Sequence, residues 1–243
     1  MTNANTSTID LSNIDGILLL DKSGSMGERV GVGSNPNMIR WDAGKESIEA
    51  FAEELAAHDD DGITVVPFGP NFEVIDGVTP DSVAKVYAKH SPGGGTYLAA
   101  PLKAIVDKFL PAQTAAAPAA PAKSGGMFGG LFGGKSAAPA ATGYVRTSPK
   151  KAVFIGILTD GAASDEAEVI KVIADATKRI NSRKDFGILF IQVGNDPAAT
   201  KFLDRVDNGL AGGVADFDVV AVTKLEDLED MSCEQIISLA FTA

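Results

Sequence analysis

The sequence predicts an α/β domain: a doubly wound, mostly parallel central sheet with helices on both faces and one short antiparallel edge strand. Three observations carry this. Short apolar runs recur along the chain at 14–20, 63–68, 152–158, 186–193 and 217–222. Runs of this length, bounded by turn residues, read as strands, the most apolar of them buried on both faces. Between them lie amphipathic stretches at helical spacing, and strand–helix alternation implies right-handed crossovers that place helices on both sheet faces. Two of the runs also exit into an acid, Asp21 directly and Asp160 one residue on, after Thr159. In open α/β sheets the carboxyl ends of the strands are where ligands bind.

Residues 1–12 read as a loose tail, and 13–243 as a single domain. Strand one is 14–20. The Gly- and Asn-rich stretch 28–40 is a surface excursion, after which Asp42 is the expected N-cap of a helix over 43–57. Ile48, Phe51 and Leu55 form its apolar stripe. A strand at 63–68, the Gly69-Pro70-Asn71 turn and a short strand at 72–75 suggest an antiparallel edge hairpin. Helices follow at 81–89 and 97–110, joined by Ser91-Pro92-Gly93-Gly94-Gly95-Thr96. Three consecutive glycines there free the backbone for a close approach.

Composition changes sharply over 111–149, with Ala/Pro runs around a Gly-Phe-rich core. This is expected to be a flexible insert within the domain, since strand patterns resume after it. Helices are then expected at 165–181 and 198–206. The forms Thr223-x-x-Glu226 and Ser232-x-x-Gln235 suit two short capped helices at the end of the chain.

The chain has 243 residues, 45% of them hydrophobic, with a net charge of −11. An acidic surface argues against nucleic acid and anionic membranes as partners. Cys233 is the only cysteine, so no intramolecular disulfide can form. The polar start has neither a basic nor an apolar signal region, and no apolar run approaches membrane-span length. The expected setting is the cytoplasm.

In Asp21-x-Ser23-x-Ser25, alternate side chains of a loosely extended segment point one way, so a carboxylate and two hydroxyls can converge on one point. These are hard oxygen donors, suited to Mg²⁺, Mn²⁺ or Ca²⁺ rather than zinc or copper. Thr96 lies in the glycine loop and Asp160 at a strand exit. Each has a plainer reading: a turn serine, a helix cap in Thr96, an N-cap aspartate.

Asp21, Ser23 and Ser25, then Thr96, then Asp160 together resemble the metal-ion-dependent adhesion site of von Willebrand factor type A (VWA) domains. The resemblance spans about residues 10–110 and 150–242. It implies the Rossmann-like VWA fold, with the serines and one further group contacting the cation directly and the aspartates acting partly through water. The cation expected is Mg²⁺, with Mn²⁺ or Ca²⁺ as alternatives. It also implies that a partner protein presents Asp or Glu to the metal, and that the chain is not an enzyme. The segments DKSGSM and LTDG look most like intracellular prokaryotic members. For bacterial members an AAA-type ATPase or a stress-response component is the associated partner class.

An enzyme is the rival class. Asp21 could be a phosphoryl-accepting nucleophile in a Mg²⁺-dependent phosphatase, but position 23 holds Ser where a second acid is needed, and Lys171 is helical and misplaced. A serine hydrolase would need a histidine base. Of the two histidines, His58 is read as solvated and His90 as a surface residue near the glycine loop. The string from Gly129 to Ser136 fits a phosphate-binding loop, yet neither strand nor helix flanks it. Met127-Phe128 and Leu131-Phe132 are read as linker. Trp41 is expected to pack at the loop base and Cys233 to be a small buried hydrophobe.

Overall fold

A computed structural model describes residues 9–31, 35–58, 61–114, 144–210 and 213–242. Its strands are β1 (Ile14–Asp21), β2 (Ile63–Phe68), β3 (Ile75–Val78), β4 (Gln113–Thr114), β5 (Tyr144–Val145), β6 (Ala152–Thr159), β7 (Phe186–Gln192) and β8 (Val220–Lys224). Its α-helices are α1 (Arg40–Ala56), α2 (Pro80–Lys89), α3 (Ala99–Phe109), α4 (Glu166–Thr177), α5 (Pro197–Gly209) and α6 (Cys233–Thr242). Six strands form one sheet in the order β3-β2-β1-β6-β7-β8. All its pairings are parallel except β2 with β3.

Strand alternation divides the core into two layers. Ile17 and Leu19 of β1 face one side with Leu102 and Ile105 of α3, Val169 and Ile173 of α4, and Phe202 of α5. Leu18 and Leu20 face the other with Ile48 and Phe51 of α1, Val83 and Val86 of α2, and Ile237 of α6. Continuous apolar strands are what burial on both faces demands.

The chain leaves β1 toward β2 on one side and later returns to β6 on the other. The carboxyl ends of β1 and β6 therefore lie together at the topological switch point, where Leu20 stands beside Leu158.

Several boundaries move for local reasons. The first turn of α1 closes on Ile39, whose carbonyl accepts from Asp42 N (3.0 Å) and Ala43 N (3.1 Å). The helix thus starts at Arg40, and Asp42 lies inside the first turn rather than at the N-cap. Phe72 makes only an isolated bridge to Phe68, and the edge strand runs over Ile75–Val78 rather than 72–75. The last strand pairs from Val220, not Phe217. Of the two capping boxes, Ser232 and Gln235 cap α6 reciprocally, whereas the turn after Thr223 is a single 3₁₀ turn, Leu225–Leu228, with Lys224 at its N-cap.

Leu11, in the stretch read as tail, is buried. Gln113–Thr114 and Tyr144–Val145, inside the stretch read as lacking any strand, pair antiparallel and bring its two ends side by side. The phosphate-loop string and the Met-Phe and Leu-Phe pairs lie outside the described residues. Among the described residues no helix is long and apolar enough to cross a membrane.

At Gly187 in β7 a Cβ would stand 2.8 Å from the Ala240 carbonyl oxygen of α6 and 3.0 Å from its Cβ. Because backbone cannot rotate aside, Gly187→Ala is expected to cost about 1–3 kcal/mol. Urea unfolding would show this as a lower midpoint at unchanged slope.

Candidate functional site

Asp21 ends β1 with no exposed surface. Its Oδ1 accepts from Ser23 N at 2.7 Å, and its Oδ2 accepts from the Thr159 hydroxyl at 2.7 Å. Burial pushes its carboxyl up to about 6; the hydrogen bonds from Thr159 and Ser23 pull the other way, and the Asp160 charge adds to the rise. A bound cation reverses that balance.

Beyond Ser23 the chain makes one 3₁₀ turn, Gly24–Gly27, pinned by the fully buried Met26. That turn sets Ser23 Oγ 3.1 Å from Ser25 Oγ. Ser25 Oγ donates to Asp160 Oδ1 at 2.9 Å. The other oxygen of Asp160 accepts from Arg40 Nη1 at 2.6 Å. Asp160 itself is 1% exposed.

The glycine loop docks on this turn through its backbone. Gly93 N donates to the Lys22 carbonyl (2.8 Å), and Gly24 N donates to the Gly94 carbonyl (2.9 Å). Gly94 has φ +81, and a Cβ there would come 2.2 Å from Pro70 Cγ, so only glycine fits. Thr96 is buried, its carbonyl accepts from Ser164 N (2.8 Å), and its Oγ1 lies 3.9 Å from the place a Gly161 Cβ would occupy. The cap of α3 comes from Asp165, which accepts from Leu98 N and Ala99 N at 3.0 Å each. Thr96 therefore does not serve as that cap.

Asp21, Ser23, Ser25 and Asp160 thus meet in one polar cluster, and backbone bonds bring Thr96 to the same rim. Among the described residues no group of three His, Cys, Asp or Glu side chains could hold a metal. This cluster offers two carboxylates with hydroxyls instead. Adjacent oxygens around an octahedral cation bound at roughly 2.1 Å lie about 3 Å apart. The hydrogen-bonded separations of 3.1 Å (Ser23 to Ser25) and 2.9 Å (Ser25 to Asp160) are compatible with that edge. The donor set suits a small hard dication.

Three contributors were not read as site residues in the sequence: Thr159, Arg40 and Asp165. Asp165 was seen only as a helix start. The remaining candidates take structural places. His58 is exposed, and His90 Nε2 lies 3.4 Å from Glu73 Oε2. Trp41 packs on Tyr87 with ring centroids 4.7 Å apart. Cys233 is buried, and burial pushes its thiol up to about 12. A cavity of about 570 Å³ opens between α1 and α6, walled by Phe51, Phe154 and Ile191, and holds none of the five candidates.

No protein-family profile matches the sequence, and no curated protein does. Solved structures do match. One is a point mutant of the PilB minor pilin from Streptococcus sanguinis, with a TM-score of 0.52 and 12% identity over 93% of this chain and 59% of that one. The chain thus spans less than two thirds of the pilin's length. Another is manganese-loaded TRAP from Plasmodium vivax, with a TM-score of 0.50 and 15% identity over 90% of this chain and 71% of that one. VWA2 from Sulfolobus acidocaldarius is a more distant match, at TM-score 0.44 and 16% identity over 92% of this chain and 45% of that one. At such identities the likeness concerns the fold. The fold is a VWA-like, Rossmann-type α/β domain.

Asp165→Ala would strip the cap from α3 and loosen the glycine loop that precedes it. The expected loss is about 1–2 kcal/mol, read as a lower denaturant midpoint.

Proposed function

We propose that this chain is a metal-dependent protein-interaction module. Asp21, Ser23, Ser25, Thr96 and Asp160 would hold one divalent cation, Mg²⁺ first, with Mn²⁺ or Ca²⁺ as alternatives. The observation that carries this reading is the run of hard oxygens from Ser23 through Ser25 to Asp160, spaced 3.1 and 2.9 Å at the switch point of the sheet. The manganese carried by the TRAP structure of similar fold supports it.

When bound, the cation supplies a Lewis-acidic position that a carboxylate oxygen can take. The protein's own groups set up that position. Ser23 and Ser25 are neutral, so they leave most of the cation's charge uncancelled. Thr159 and the Ser23 amide hold the Asp21 carboxylate in a fixed orientation. The partner is then a protein presenting Asp or Glu, in the bacterial cytoplasm, with an AAA-type ATPase or a stress-response component as the class to look for.

The chain is not an enzyme on this reading. A phosphoryl-accepting Asp21 would need a second acid two residues on, and position 23 is Ser.

Calorimetric titration of the metal-stripped protein with Mn²⁺ tests the proposal. The expected result is one site per chain, weakened at least tenfold by Asp160→Ala and by Ser25→Ala, the second of which leaves both carboxylates in place. Capture of partners from the native cell should fail in EDTA. Unaltered Mn²⁺ affinity in both variants, together with EDTA-resistant capture, would end this reading.

A further inference from the structure

Arg40 takes no part in the five-residue set, yet it touches that set most tightly. It is the first residue of α1, behind an Ile39 N-cap that supplies no side-chain cap. A cation at a helix N-terminus opposes the macrodipole. Helix formation therefore does not account for an arginine here, and a residue that breaks a local rule points to another demand.

The excursion before α1 serves to deliver it. Arg29 and Ile39 bridge antiparallel, Val30 N donates to the Met38 carbonyl (2.8 Å), and Arg40 N donates to the Glu28 carbonyl (2.9 Å). The chain thereby folds back onto the serine turn it has just left. Arg40 Nη1 then reaches Asp160 Oδ2 at 2.6 Å and the Ser25 carbonyl at 3.3 Å, with Glu28 Oε2 at 3.5 Å. The guanidinium rests on Gly194 (φ +79), where a Cβ would stand 3.1 Å from Nε and 3.4 Å from Nη2. Its Nε is buried with no hydrogen-bond partner among the described residues. Such a group is costly to leave unmet. The seat therefore holds the charge in place without satisfying the whole side chain.

Two anions, Asp21 and Asp160, face the cluster, and Arg40 is the cation bonded to it. The ammonium of Lys22, next along the chain, is turned to Asn71 Oδ1 at 2.7 Å. Resting on the reading of the cluster as a cation site, we infer that Arg40 is its built-in counter-charge. By holding Oδ2 of Asp160 it leaves Oδ1 toward Ser25 and cancels one of the two negative charges. The site then holds a dication more weakly and with more positive charge left over for an incoming carboxylate. Arg40 is thus a positioning and selectivity residue that lowers cation affinity.

The test compares Mn²⁺ dissociation constants of the full chain with those of Arg40→Gln, Arg40→Met and Arg40→Lys, measured by the electron paramagnetic resonance signal of free Mn²⁺. Thermal unfolding in EDTA runs alongside as the fold control. Arg40→Met keeps the apolar stem if Arg40→Gln is unstable. Loss of the charge should tighten Mn²⁺ binding by roughly tenfold or more, while Arg40→Lys stays within about threefold of the parent. Unchanged or weaker binding in the neutral variants, or a lysine variant that behaves like them, overturns it while the cation site stands. Absence of Mn²⁺ binding in every protein overturns both.

Discussion

Two carboxylates lie almost wholly out of water at adjoining strand ends, and the rest of the site follows from that constraint. Asp21 has no exposed surface and Asp160 1%. Buried like charges raise each other's cost unless hydrogen bonds or opposite charge compensate them. All four oxygens are accordingly engaged: by Ser23 N, Thr159 Oγ1, Ser25 Oγ and Arg40 Nη1. Removing one partner from a buried pair such as Arg40–Asp160 typically costs about 3–5 kcal/mol, because the survivor keeps its desolvation penalty. The polar cluster therefore depends on each of these partners staying in place.

The scaffold makes the arrangement repeatable. β1 and β6 are neighbours in register, so the side chains just beyond Leu20 and Leu158 emerge together. Opposite crossover directions keep helices from closing that end of the sheet. Backbone bonds from Lys22 and Gly24 to the glycine loop, and from Thr96 to Ser164, fasten three loops into one rim. Asp165 adds a fourth tie, since one carboxylate from the start of α4 caps α3. Thr96 is thus held from both sides, with little dependence on its own side chain.

What could be read beforehand was local. β2 falls on the residues its apolar run marks, and the alternating strand and helix patterns yield the observed sheet with its antiparallel edge. The five oxygen-bearing residues are legible as a set only through their resemblance to a known metal-site motif, since each alone reads as a turn or cap residue. Arg40, Thr159 and the capping role of Asp165 did not stand out, for a physical reason. Their partners are 120, 138 and 67 residues away, and nothing in a window of neighbours encodes such a pairing. Asp42 misled for a related reason: its acid suits a helix start, but the first turn closes on the apolar Ile39. The edge strand slipped along the chain because Phe72, though apolar, makes only one bridge and stays partly exposed.

The choice of hydroxyls at positions 23 and 25 reconciles burial with charge. Ser23 is 2% exposed, so a carboxylate there would add a third buried anion beside Asp21 and Asp160. On the proposed reading it would also satisfy a dication more fully, leaving little attraction for an outside acid. Serine avoids both consequences, offering an oxygen at ligand spacing with no charge of its own. Among the described residues the cluster has no third acidic or histidine side chain beside these hydroxyls. On the proposed reading that shortage has a use: a site that stored a cation would add acids, whereas one that used the cation to attract an acid would withhold them.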